Sequence, residues 1–105
     1  MTDVDAFAAL ANPVRRAILA RLRDGPLPAS EIARAFDIGR PAVSEHLQVL
    51  RRAHLVRDET RGRERHYYLD ARPLAEVEAW VATFTRYWNE RLDGLGQLLS
   101  RQEPP

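Results

Sequence analysis

The chain has no cysteine. That excludes disulfides, thiolate metal sites and cysteine nucleophiles together. It has no lysine either: all sixteen basic residues are arginine. Coding bias explains that as readily as function does, and arginine is the better partner for phosphate and guanine. No apolar run approaches the roughly 18 residues of a membrane span. The opening residues, MTDVDAF, lack the basic start and apolar stretch of a secretory signal. The expectation is a cytoplasmic protein with no membrane partner. Glycine-rich phosphate loops, paired-carboxylate motifs and a serine with a histidine–acid relay are also missing, so no enzyme is read here.

What remains is 105 residues, 45% hydrophobic and 30% charged. This is enough for one folded domain, read as spanning 1–105, with a core modest enough to make oligomerisation a reasonable expectation. Net charge is only +1, but it is unevenly spread. Residues 40–67 carry seven Arg against four acids, a balance of +3, and residues 73–105 carry three Arg against five acids, a balance of −2. A basic middle beside an acidic tail points to a polyanion-binding face and a separate surface for another task.

The periodicity gives the architecture. DVDAFAALA (3–11) reads as a short helix with Phe7 and Leu10 on one side. Asn12-Pro13 opens a second helix, with Val14, Ile18, Leu19 and Leu22 inward, and Gly25-Pro26 stops it. ASEIARAF (29–36) is a third, with Ile32, Ala33 and Phe36 inward. DIGR (37–40) is a tight turn, and GRPAVSEHLQVLRRAHLV (39–56) holds a fourth helix. Val43, Leu47 and Leu50 form its inward stripe. It ends near Ala53, with His54 placed to leave the helix in a left-handed conformation.

The period then changes to two. LVRDET (55–60), a turn at RGR (61–63) and ERHYYLD (64–70) read as a two-stranded hairpin, with Val56, Tyr68 and His66 facing one way. A long helix follows Pro73, apolar at Leu74, Val77, Trp80, Val81, Phe84, Tyr87, Trp88, Leu92, Leu95, Leu98 and Leu99. The fold class is mostly α with a small β-hairpin: a winged helix-turn-helix with an extra helix at each end. The helix-turn-helix covers 29–54 and the wing 55–70. Helices at 3–11 and 73–100 flank them.

In this motif the second helix enters the major groove, N-terminal residues nearest the bases. The candidate DNA contacts are Arg40, Pro41, Ala42, Ser44, Glu45, Gln48 and Arg51, with Arg61, Arg63 and Arg65 of the wing. The alternation of those three arginines lets them project from one side of the hairpin. Each has a plainer reading. A polar stripe is often only a solvated face, Arg40 can pair with Asp37, and Glu45 either accepts from a cytosine amino group or repels phosphate. Arg52 and Arg57 meet phosphates or pair with Asp58 and Glu59. His46, His54 and His66 do not form a compact ligand set by spacing, so packing or backbone hydrogen bonding is their expected role, with no metal and no cofactor. The cluster Trp80, Phe84, Tyr87, Trp88 is either a dimer core or a small-molecule site.

ALANPVRRAILARL, SEIARAFDIGRPAVSEHLQVLRRAHLV and RDETRGRERHYYL, in this order and spacing, resemble the ArsR/SmtB (arsenic-repressor-like) winged-helix regulators from about Phe7 to Leu95. The Ser-x-His-Leu core stands at Ser44, His46 and Leu47, and the wing tip is Arg-Gly-Arg. The resemblance implies a homodimeric repressor of double-stranded DNA whose terminal helices form the interface: Phe7, Leu10, Val77, Trp80, Val81, Phe84, Tyr87, Trp88, Leu92 and Leu95. Many members sense metals, and here the chain departs. LPASEIA stands where the family's cysteine pair would be, and the last helix holds no histidine. The expected function is a metal-independent repressor on an inverted-repeat operator, released by an unknown small-molecule or protein effector if released at all. The alternative is a winged-helix protein-interaction module without specific DNA binding.

Overall fold

Asp5 opens the first helix by accepting the Ala8 N–H at 2.7 Å through its side chain. A computed structural model describes the backbone of residues 4–102 and the side chains through residue 100. The helices are α1 (Ala6–Leu10), α2 (Pro13–Leu22), α3 (Ala29–Arg34), α4 (Arg40–Arg52) and α5 (Leu74–Gln102). The strands are β1 (Leu27–Pro28), β2 (Val56–Arg61) and β3 (Glu64–Leu69). The first helix is shorter than its expected 3–11 because Asp5 caps it; Asp3 lies outside the described residues. Asn12 starts α2 as expected, its Oδ1 accepting from Val14 N at 2.8 Å and Arg15 N at 3.1 Å.

The expected two-stranded hairpin is a three-stranded antiparallel sheet, in the order β1-β3-β2. Leu27 pairs with Tyr67 and Pro28 with His66. Proline lacks the N–H of an inner strand, and β1 lies at the edge, where that lack is tolerated. The wing is thereby tied to the start of the helix-turn-helix.

The register corrects the expected faces of the hairpin. Val56 pairs with Leu69, Asp58 with Tyr67 and Thr60 with Arg65, on one face. Arg57 pairs with Tyr68, Glu59 with His66 and Arg61 with Glu64, on the other. Val56 and Tyr68 therefore face opposite ways, as do Arg61 and Arg65. Strand Arg61 runs straight into Gly62-Arg63, a two-residue turn whose glycine has φ 63°. Directly paired residues share a face, so counting alternate residues through the turn gives the wrong parity.

Ile18, Ile32, Leu50 and Leu55 are fully buried, with Val43, Leu47 and Leu22 beside them. The core therefore gathers α2, α3, α4 and the entry to β2. Ala33, Phe36 and Val14, read as inward, are only half-buried. Two compact units result: the winged body, to Ala75, and the helix from Glu76 onward. That helix runs unbroken through Gly94 and Gly96.

Candidate nucleic-acid interface

The recognition-type helix α4 is fixed at both ends. Gly39 precedes it at φ 83°, a conformation that L side chains resist, and Pro41 sits in the first turn. At the other end His54 has φ 60°. Its N–H donates to Arg51 O at 3.0 Å, and Leu55 N–H donates to Leu50 O at 3.0 Å. This pair of bonds is a Schellman closure with histidine in the place usually held by glycine. Leu55 is buried, which ends the helix on an apolar anchor.

Between these ends the helix is two-faced. Val43, Leu47 and Leu50 are buried, whereas Arg40, Pro41, Ser44, Glu45, Gln48 and Arg51 are exposed. Ala42 is half-buried. Arg40 and Asp37 form no ion pair among the described residues. The exposed face carries donors and acceptors suited to base edges and phosphates.

Arg40 also lines an open cleft of about 340 Å³ with Ser30, Ala33 and Arg34 of α3. Ser30 there donates its hydroxyl to Glu64 Oε1 at 2.5 Å, linking α3 to the wing. Arg34 and Ser30 were not singled out from the sequence. The helix periodicity that sets Arg34 beside the start of α4 becomes informative only once the turn between them is known.

The wing arginines divide. Arg63 is exposed in the turn. Arg61 and Arg57 lie over the Tyr68 ring, 5.9 Å and 4.2 Å from its centroid, and Arg57 pairs with Glu59 at 3.1 Å. Arg65 and Arg51 both pair with Asp58, Arg51 Nε at 3.2 Å from Oδ1 and Arg65 on Oδ2. Arg52 and Arg57 were expected to meet phosphates or to pair with Asp58 and Glu59; Arg57 takes Glu59, while the register places Asp58 on the opposite face from Arg57, where it takes Arg51 and Arg65 instead. Burial, and secondarily the Asp58 charge across the strand, push the Tyr67 phenol up from its ordinary value.

The histidines do not converge. His46 is half-buried, and its Nδ1 lies 3.3 Å from Arg15 Nη1, a guanidinium partner that the spacing did not point to. His66 Nδ1 and the Tyr68 hydroxyl, on one face of β3, are buried and have no hydrogen-bond partner among the described residues. Among the described residues no three His, Cys, Asp or Glu side chains group as a metal would need.

On α5 the apolar side chains are open. Trp80, Val81, Phe84, Tyr87, Trp88, Leu92 and Leu95 are exposed, Trp88 by 59%. Trp80 meets Phe84 edge to face at 5.0 Å, and Tyr87 meets Trp88 at 5.7 Å. Val77 is half-buried. In the winged unit, Phe7 is exposed and Leu10 half-buried. No described helix is long and apolar enough to cross a membrane.

A helix-turn-helix domain model matches residues 10–59. The HTH-type transcriptional regulator Rv2034 of Mycobacterium tuberculosis is 43% identical over 97 residues, covering 92% of this chain and 88% of that protein. The transcriptional repressor SdpR of Bacillus subtilis is 34% identical over 80 residues, covering 76% of this chain and 89% of that one. Among solved structures, that of an ArsR family transcriptional regulator, RHA00566, superposes with a TM-score of 0.70 at 38% identity, over 79% of this chain and 91% of the other.

Proposed function

Because the chain belongs to the ArsR/SmtB family of winged helix-turn-helix transcriptional regulators, we propose that this DNA-binding protein represses as a homodimer on an inverted-repeat operator, without a metal. Its relatives are transcriptional regulators, not enzymes. The observation that carries the reading is the two-faced α4. A helix locked by Gly39 and His54 buries Val43, Leu47 and Leu50 and holds Arg40, Ser44, Glu45 and Gln48 outward. Each subunit sets this face in a major groove, and Arg61 and Arg63 meet the flanking minor groove or backbone. Two-fold symmetry places the half-sites about one helical turn, roughly 34 Å, or a multiple of it apart.

The exposed apolar side of α5 supports dimerisation, since a contiguous aromatic and leucine surface is normally covered by a partner. Phe7 and Leu10 offer a second apolar surface for the same purpose. The donor chemistry supports metal independence: the chain has no cysteine, and α5 has no histidine. The effector, if there is one, is a small molecule or a protein.

The test is fluorescence anisotropy of the purified protein on DNA from immediately upstream of its coding region and on scrambled DNA. Both are titrated at low and near-physiological salt, with and without chelator. Tight binding to the upstream DNA alone, unchanged by chelator, is the expected result. Weak, equal binding that vanishes with salt on both DNAs overturns operator recognition there, and loss of binding with chelator overturns metal independence.

A further inference from the structure

Asp58 lies on a largely exposed strand, yet its side chain is only 10% exposed. Both carboxylate oxygens are occupied. Arg51 Nε takes Oδ1 at 3.2 Å, and Arg65 Nη1 takes Oδ2. Arg51 belongs to the last turn of α4, and Arg65 to β3 close behind the wing tip. One carboxylate therefore joins the end of the recognition helix to the returning strand of the wing. Tyr67, directly across from Asp58, shares this partly dry environment.

The two guanidiniums are half-exposed, by 54% and 50%. They remain within the part of the molecule that offers cations to a polyanion. Arg51 continues the row of Arg40, Ser44 and Gln48, and Arg65 stands two residues from Arg63. Each holds Asp58 through one nitrogen, and a guanidinium that swings away to a phosphate leaves an oxygen of a nearly buried carboxylate unpaired, which is strongly unfavourable. Phosphate contacts carry no sequence information and supply essentially all non-specific affinity.

We propose that Asp58 is a specificity-determining residue that holds Arg51 and Arg65 off the DNA backbone, suppressing binding to non-operator DNA. The inference rests on α4 and the wing being the DNA face. It turns two arginines read from the sequence as contacts into parts of the scaffold. Of the arginines read from the sequence as contacts, Arg40 on the helix and Arg61 and Arg63 at the tip are left for DNA.

The test compares salt slopes of wild type, Asp58→Asn, Arg51→Ala, Arg65→Ala and the double variant Arg51→Gln/Arg65→Gln on scrambled and upstream DNA. Circular dichroism melts confirm folding, and the double variant keeps Asp58 with neutral hydrogen-bond donors if the others melt. Each phosphate contact adds about 0.9 to the slope of log affinity against log salt. Asp58→Asn is expected to steepen the slope on scrambled DNA by about 0.9 to 1.8, one or two contacts, and to tighten binding there. The arginine variants are expected to keep the wild-type slope. A slope that flattens by about 0.9 or more in a folded arginine variant overturns the proposal, because the residue then already sits on phosphate. So does an unchanged slope in folded Asp58→Asn. Wild type that shows no salt-dependent binding to either DNA overturns the DNA-face reading itself, a distinct result.

Discussion

Arg15 and His46 join α2 to the middle of the recognition helix, Nη1 to Nδ1 at 3.3 Å. The same guanidinium donates through Nε to Ala9 O at 2.6 Å and through Nη2 to Ala8 O at 3.2 Å. Ala9 O is a carbonyl that a five-residue helix cannot satisfy within itself, and Ala8 O also accepts the Ala11 N–H at 3.2 Å. Since arginine can only donate, Nδ1 accepts, and the imidazole proton of that contact state is on Nε2. Arg16 repeats the device on Leu10 O at 2.8 Å.

Replacing Arg15 should therefore loosen α1 and remove a brace from α4. Arg15→Met, which keeps the apolar stem, is expected to cost about 1–3 kcal/mol of stability. Arg15→Lys should recover only part of this, because an ammonium cannot span three acceptors with a planar fork. Urea melts of the three proteins provide the comparison; equal midpoints would show that water replaces the guanidinium without loss.

Arg40→Ala should weaken operator binding by roughly 1–3 kcal/mol and relax one base position if Arg40 reads a base edge. Anisotropy against a set of singly substituted operators measures both effects. A uniform loss across the whole set, with a salt slope lower by about 0.9, would assign Arg40 to phosphate instead.

His54 stands at φ 60°, where side chains branched at Cβ are least tolerated. His54→Val is expected to lower the thermal midpoint, by about 1–2 kcal/mol of stability. His54→Gly should hold or raise it. A melting series in which valine matches glycine would mean that the Schellman closure is not maintained in solution.

Trp88→Glu puts a charge into the exposed aromatic side of α5. If that side is the dimer surface, sedimentation velocity should show monomer at concentrations where wild type is dimeric. Operator affinity should fall with it, since two half-sites are then no longer held together. A variant that sediments as wild type would move the interface elsewhere.

Asp70 and Arg72 form a two-point ion pair, with Arg72 Nε 2.9 Å from Oδ1 and Nη2 2.6 Å from Oδ2. The side-chain hydrogen bonds of Arg72 hold the Asp70 carboxyl at about 2, below its ordinary 3.8. A depressed folded-state pKa gives stability that is present above the unfolded value and lost as pH falls through the folded one. Wild type should thus keep an advantage over Arg72→Ala above pH 3.8 and lose it on acidification toward pH 2. The Arg72 end is open to solvent, so added salt should shrink the difference. Midpoint temperatures followed against pH for both proteins decide the matter; parallel curves would refute the pairing.

The recognition helix was legible because several signals agreed. Val43, Leu47 and Leu50 kept the helical period, Gly39 and Pro41 marked the start, and the ending around His54 needed a left-handed residue. The strand at Leu27-Pro28 was not legible: two residues carry no periodicity, and proline argued against any strand. The faces of the wing were misread for a sharper reason. Side chains alternate with period two, so miscounting by one residue at Gly62-Arg63 reverses every later assignment. The Asp58 cluster was hidden because its members come from α4, β2 and β3, and only the sheet register brings them together.

The short strand at Leu27-Pro28 gives the wing a third point of support. A hairpin held only at its root would swing and settle into grooves of many widths. Here β3 is fastened along its middle to the segment that leads into α3, and Ser30 grips Glu64 near the tip. Recognition helix and wing tip behave as the two jaws of a caliper with a set opening. If these are the two DNA contacts proposed above, such a tool gauges the breadth of the groove it closes on, and stretches of duplex that differ only in width, and share every touched base, should not be grasped alike.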